Sequence, residues 1–190
     1  MSDSPTDDQK LIDEFVGVCH GDFERVKTLL TAHPRLIHGS ASWVETGIEA
    51  AAQTGRVDIV EYLLVAGAPL DICTAAMLGR TDQVAAFLLT DPEHSKARGA
   101  HGLPVMYFPA IRGHQEIAAL LLDKGAEINA GAGGNTALHG AVLFGQVEMV
   151  RWLLEHTADP SLLDYNGKTA LELARENNQA AIVGLLEAHM

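Results

Sequence analysis

Apolar and polar positions along this chain alternate in a pattern that recurs six times. Each copy opens on a glycine, once on an asparagine, and continues as a short amphipathic run: CHGDFERVKTLL, TGRVDIVEYLL, LGRTDQVAAFLL, RGHQEIAALLL, FGQVEMVRWLL and NNQAAIVGLL. The anchors are Gly21, Gly55, Gly79, Gly113, Gly145 and Asn178, spaced by 34, 24, 34, 32 and 33 residues. After each anchor an apolar residue falls at the fifth position (Val26, Val60, Val84, Ala118, Val150, Val183) and another at the eighth (Leu29, Leu63, Phe87, Leu121, Leu153, Leu186). That spacing places both on one stripe of a helix. Before the last five anchors lies a short segment, mostly alanine-rich (GIEAAAQT, LDICTAAML, VMYFPAIR, ALHGAVLF, ALELAREN), whose small residues let a first helix pack closely on its neighbours. Two antiparallel helices per unit follow, and neither buries its apolar side alone, so the units must stack.

The predicted fold class is all-α, a solenoid of about six helix pairs in a single domain over 1–190. A polar tail covers 1–9, and the units lie at approximately 10–39, 40–68, 69–98, 99–130, 131–163 and 164–190. The first and last units are the polar ones, carrying Asp7, Asp8, Asp13 and Glu14 at one end and Glu172, Arg175, Glu176, Asn177, Asn178 and Glu187 at the other. Solubilising caps are expected at the ends of such arrays, and on that reading the array begins and ends inside this chain.

Two motifs carry a family resemblance. GNTALHGAVLFG (134–145) and NGKTALELA (166–174) are similar to the G-x-T-P-L-H-x-A-A-x-x-G of ankyrin repeats, and AGAPLD, KGAEIN and TADPSLLD resemble that family's turn. The resemblance covers residues 10 to 189. Thr136 and Thr169 stand where a hydroxyl caps the first helix, and Gly67 and Gly125 where the second needs a left-handed stop. The resemblance also implies a β-hairpin finger between successive helix pairs. The 24-residue spacing between Gly55 and Gly79 leaves no residues for one, so one finger is missing and a notch is expected there. Pro109 falls inside the fourth unit's first helix, which predicts a kink or a late start.

What the resemblance implies for function is a non-catalytic module that binds a partner protein or peptide through its concave face. Carried over position by position, the contact residues are Trp43, Met77, His101, Leu103, Ile111, Arg112, Leu143, Phe144, Tyr165 and Lys168, with Gln53, Thr54, Leu78, Asn135 at matching places. Leu143 and Phe144 attract notice because the core stripe of their helix is already filled by Leu138, Ala141 and Val142, which turns the next two residues towards the groove edge. The alternative is a small-molecule-binding or catalytic protein with a pocket near the missing finger, by Trp43, Met77, His101 and Tyr107, or with Tyr107, His101 and Glu49 as acid/base groups.

Composition narrows the remaining classes. Thirteen basic against 25 acidic residues give a formal charge of −12, which repels phosphate backbones, so nucleic acid is excluded as a partner. The longest apolar runs, such as Val84 to Leu89, are far short of a bilayer span, and the start MSDSPTDDQK lacks the features of a secretory signal; a cytoplasmic protein with no membrane partner is expected, a monomer being favoured. Cys19 and Cys73 both fall on apolar helix faces, which predicts two reduced, buried thiols.

No cofactor or metal site is predicted, and the protein is not expected to be an enzyme. His33 and His38 flank a helix end without a cysteine or an i, i+4 partner, and isolated surface histidines are the expected state of the rest. His139 belongs to the TALH motif, where the resemblance implies a structural role. GAGG (131–134) lacks the lysine and the preceding strand of a phosphate loop and reads as a turn. Glu45 and Glu49, four residues apart, read as like charges on a solvated helix face.

Overall fold

The computed structural model describes residues 7–131 and 133–189. The first six residues of the polar tail, Ala132 of the GAGG turn and the last residue lie outside the described residues. Within them the chain forms twelve α-helices in six antiparallel pairs: α1 (Asp7–Cys19) and α2 (Phe23–Ala32), α3 (Gly47–Gln53) and α4 (Val57–Val65), α5 (Ile72–Met77) and α6 (Thr81–Thr90), α7 (Tyr107–Ala110) and α8 (Gln115–Asp123), α9 (Ala137–Leu143) and α10 (Val147–Glu155), α11 (Ala170–Glu176) and α12 (Ala180–Glu187). The first helices pack in the order α1, α3, α5, α7, α9, α11, each on the next, as the stacking argument requires.

The anchors work through the backbone. Gly55, Gly79, Gly113 and Gly145 hold φ between 66° and 76°, and Asn178 takes the same left-handed conformation at 56°. Asparagine tolerates that region better than other residues with a side chain, which explains why it replaces the glycine there. In four of the pairs the residue after the anchor then ties the pair to an earlier one. Gln146 Nε2 donates to Ile111 O at 3.1 Å, Gln179 Nε2 to Val142 O at 2.7 Å, and His114 Nε2 lies 3.1 Å from Met77 O. Arg56 makes the equivalent bond to Gly21 O. Each of these bonds reaches a carbonyl at or just beyond the end of a first helix, where intrahelical donors run out.

Thr46, Thr136 and Thr169 cap α3, α9 and α11 in full capping boxes, the third partner being Glu49, His139 and Glu172 respectively. Glu49 is committed to this cap, accepting from Thr46 N at 2.9 Å and Thr46 Oγ1 at 2.7 Å. His139 is structural too: buried, it bonds Thr136 through Nδ1 and Lys168 O through Nε2 at 3.2 Å. In the fourth unit α7 spans only four residues, the late start that Pro109 predicts. The hairpin fingers are closed by single antiparallel bridges, Ser40 with Thr46, Arg98 with Pro104 and Leu163 with Thr169. Between α4 and α5 there is none: six residues connect the helices, and Asp71 caps α5 directly by accepting from Thr74 N at 2.7 Å.

The missing finger sets the shape of the concave side. Instead of an open notch, the flanking fingers approach each other, and the 3-10 turn Ala100–Gly102 of the third finger region packs against α3 of the second unit. Two residues expected at the surface are consequently core. Met77 is fully buried, because α5 without a finger is enclosed by α3 and α7. Ile111 is also fully buried, filling the space that Gly55 and Gly140 leave open on either side of it. Neither has exposed surface to offer a partner.

Candidate functional site

The site is built from two finger tips held in left-handed backbone. Val44 has φ 62°, an uncommon state for a β-branched residue, and it turns the chain between Trp43 and Glu45. His101 has φ 55° and is followed by Gly102 at 72°, which bends the other finger back over the first. Glu45, read from sequence as part of a solvated helix face, precedes α3 and is 1% exposed, which corrects that reading.

Around Glu45 the polar groups converge. Its Oε2 accepts from Trp43 Nε1 at 2.7 Å, while its Oε1 accepts from the Gln53 amide. His20 Nε2 and His101 Nε2 each stand 3.5 Å from Oε1. The Gln53 amide nitrogen is also 2.9 Å from His20 Nε2, and His20 Nδ1 lies 3.1 Å from Gly17 O. A ring that donates through Nδ1 to a carbonyl presents a lone pair at Nε2, so Gln53 donates to both Glu45 and His20. Beneath the cluster, burial and the Glu45 charge push the Cys19 thiol up to about 12, which keeps it protonated and inert. Burial likewise raises the Cys73 thiol, and neither cysteine is in a disulfide.

A groove of about 640 Å³ includes His20, Gln53 and His101 of this polar head. It is lined by the polar His20, Gln53, Thr54, His101 and Asn135, by the larger apolar and aromatic Leu103, Tyr107, Leu143, Phe144 and Tyr165, and by Gly134. Burial, and the neighbouring Tyr165, push the Tyr107 phenol up to about 12, so it is a neutral hydrogen-bonding group. Its ring sits over Gly140, where a side chain would collide with it. The Phe144 ring reaches across to Gly55 of the second unit, beside Arg112, yet Phe144 remains 36% exposed and Leu143 39%. The buried Oδ1 of Asn135 has no hydrogen-bond partner.

Of the residues named from sequence, the groove therefore gathers Gln53, Thr54, His101, Leu103, Tyr107, Asn135, Leu143, Phe144 and Tyr165. Leu103 is largely buried. Trp43 is exposed, but its indole N–H is spent on Glu45. Arg112 is exposed beside the groove, and Lys168 pairs with Glu176 at 2.6 Å. Tyr107, His101 and Glu49 are not assembled as an acid/base set, since Glu49 belongs to its helix cap. Sequence reasoning missed His20 and Glu45 as partners of His101; the one available signal was the short spacing that draws their fingers together.

Comparison with known proteins gives consistent results. The family model described as ankyrin repeats (3 copies) matches residues 15–164 and again 129–189. An ankyrin repeat-containing protein of Treponema pallidum (strain Nichols) is 27% identical over 96% of this chain and 53% of its own length. BCL-6 corepressor-like protein 1 of Homo sapiens is 37% identical over 53% of this chain and 6% of its own length. The E3 ubiquitin-protein ligase XBAT33 of Arabidopsis thaliana is 39% identical over 44% of this chain and 17% of its own length. The chain thus spans about half, or much less, of these relatives. Repeats of this kind are in general protein–protein interaction modules. No helix among the described residues is long and apolar enough to cross a membrane.

Proposed function

The chain belongs to the ankyrin-repeat family, and from that premise we propose that it is a non-catalytic module whose concave groove grips a segment of a partner protein. The observation that carries this reading is the partly exposed Leu143, Phe144 and Tyr165 lining one groove with the buried Tyr107. Large aromatic groups at the centre of a concave, partly desolvated surface are the usual anchors of protein recognition. Thr54 in the same groove lining supplies a polar group able to read the segment. A formal charge of −12 argues against nucleic acid as the occupant. Two unpaired buried thiols are in keeping with a cytoplasmic monomer of six units.

The test compares recoveries, since a single pull-down does not locate a surface. The intact chain, Phe144→Ala, Tyr165→Ala and Leu89→Ala are used as bait; Leu89 is 87% exposed on the second helix α6 and lies outside the groove. A protein retained by the wild type and by Leu89→Ala but lost with both groove variants is the expected result. Equal recovery by all four baits overturns the reading.

A further inference from the structure

We propose that His20, Glu45 and His101 form a binding site for a first-row divalent transition-metal ion of the zinc class, independent of which segment the groove holds. The three potential ligand atoms, His20 Nε2, Glu45 Oε1 and His101 Nε2, all lie within 4.8 Å of one another. Both nitrogens are 3.5 Å from the shared oxygen. Zinc–nitrogen and zinc–oxygen bonds of about 2.0–2.2 Å put the ligands of a tetrahedral site about 3.4 Å apart. Two of the three edges therefore already have the required length. The third closes by at most about 1.4 Å on the same geometry, a movement available to His101 on an exposed finger tip.

The chemistry of the donor set agrees. Two imidazoles and one carboxylate suit zinc and its neighbours, whereas magnesium and calcium prefer oxygen ligands. Glu45 is a buried carboxylate that accepts from Trp43 and Gln53, and both imidazole nitrogens face its Oε1. Buried charges are paired or coordinate metals. The outer contacts also fit. Gly17 O holds the His20 ring through Nδ1, which orients Nε2 as a ligand, and Trp43 Nε1 holds Glu45 Oε2, which leaves Oε1 to coordinate. The Gln53 amide N–H groups now lie between Glu45 Oε1 and His20 Nε2, where a cation would attract both acceptors. On metal binding the amide turns over, and its carbonyl oxygen is placed to become a fourth ligand. His20, Gln53 and His101 all line the groove, so the ion has access from solvent.

The experiment uses the full chain stripped of metal with a chelator and then titrated with Co2+ and Zn2+ in a non-coordinating buffer. Visible absorption follows Co2+ and calorimetry follows Zn2+. Wild type is expected to bind one equivalent, to develop cobalt d–d bands of nitrogen/oxygen coordination, and to lose them when zinc is added. His20→Gln and His101→Gln, with unchanged circular dichroism, are expected to weaken binding at least 100-fold, and Trp43→Phe about 10- to 100-fold as an outer-shell change. His156→Gln, which alters a surface histidine stacked on Trp152, is the control and should change nothing. Absence of one-equivalent binding by wild type overturns the proposal whatever the variants do. So does binding by either ligand variant as tight as that of wild type, which would assign the metal to other histidines.

Discussion

Replacing Gly140 by alanine sets two opposing effects against each other, and the geometry decides between them. Gly140 lies in the interior of α9, where alanine would be favoured by about 1 kcal/mol on intrinsic helix propensity. A Cβ there would stand 2.8 Å from Tyr107 Cδ2 and Cε2 and 3.0 Å from Ile111 Cγ2. Ordinary carbon contacts are about 3.5–4.0 Å, so the new methyl overlaps two neighbours by about 0.5 Å or more. Ile111 is fully buried and Tyr107 nearly so, so relief requires moving packed side chains. Overpacking of this kind costs about 1–3 kcal/mol, and two simultaneous overlaps place it in the upper part of that range. The expected net effect is a loss of about 1–2 kcal/mol, read as a lowered urea midpoint at unchanged m-value. Repeating the substitution in a Tyr107→Leu background removes the larger overlap and should recover about 1 kcal/mol of that loss. A gain of about 1 kcal/mol in the wild-type background, as for an unobstructed helix, would refute the packing of Tyr107 over Gly140.

Further expectations follow the same logic. Phe144→Ala should cost about 1 kcal/mol of stability, because the ring is over one-third exposed; a urea-derived loss of about 3 kcal/mol or more would make it a core residue. Val44→Asn should raise stability by about 1 kcal/mol, since Val44 is mostly exposed and asparagine tolerates its left-handed φ of 62°; a lower midpoint would contradict the strain argument. Burial holds the His114 and His139 imidazoles below their usual 6.5, so the unfolded chain takes up protons first. Their contribution is fully present above about pH 6.5 and is lost as pH falls through the folded-state values. His114→Gln keeps the bond to Met77 O, as Gln146 and Gln179 do at equivalent places, and should flatten that decline; an unchanged slope in pH-dependent unfolding would exclude His114 as a source.

The architecture was legible because it is periodic. Threonine caps, anchors that need a left-handed backbone and stripes at helical spacing mark successive points of one repeating unit, so local signals and the global stack agree. Asn178 in the glycine's place and the late start before Pro109 were readable for the same reason. The concave surface was less so, because carrying contact positions from unit to unit assumes that every unit has the same neighbours. Met77 lost its exposure when the missing finger let α3 and α7 enclose α5, and Ile111 lost its own to the gaps at Gly55 and Gly140. The polar cluster was hidden for a related reason. His20 ends α1, Glu45 sits in a finger and His101 at another finger's tip, and only the shortened connection between α4 and α5 makes those fingers neighbours.

The central claim is that the groove, and not the outer face of the second helices, is the recognition surface. The most direct measurement places a photo-crosslinking amino acid at Leu143 or Tyr165 in the groove, or at Leu89 outside it, in the intact chain, and irradiates each variant in an extract of its source cells. A discrete adduct of the same partner from both groove positions, with none from Leu89, is predicted. An adduct from Leu89 alone, or none from either groove position while the partner is still retained, would contradict the account.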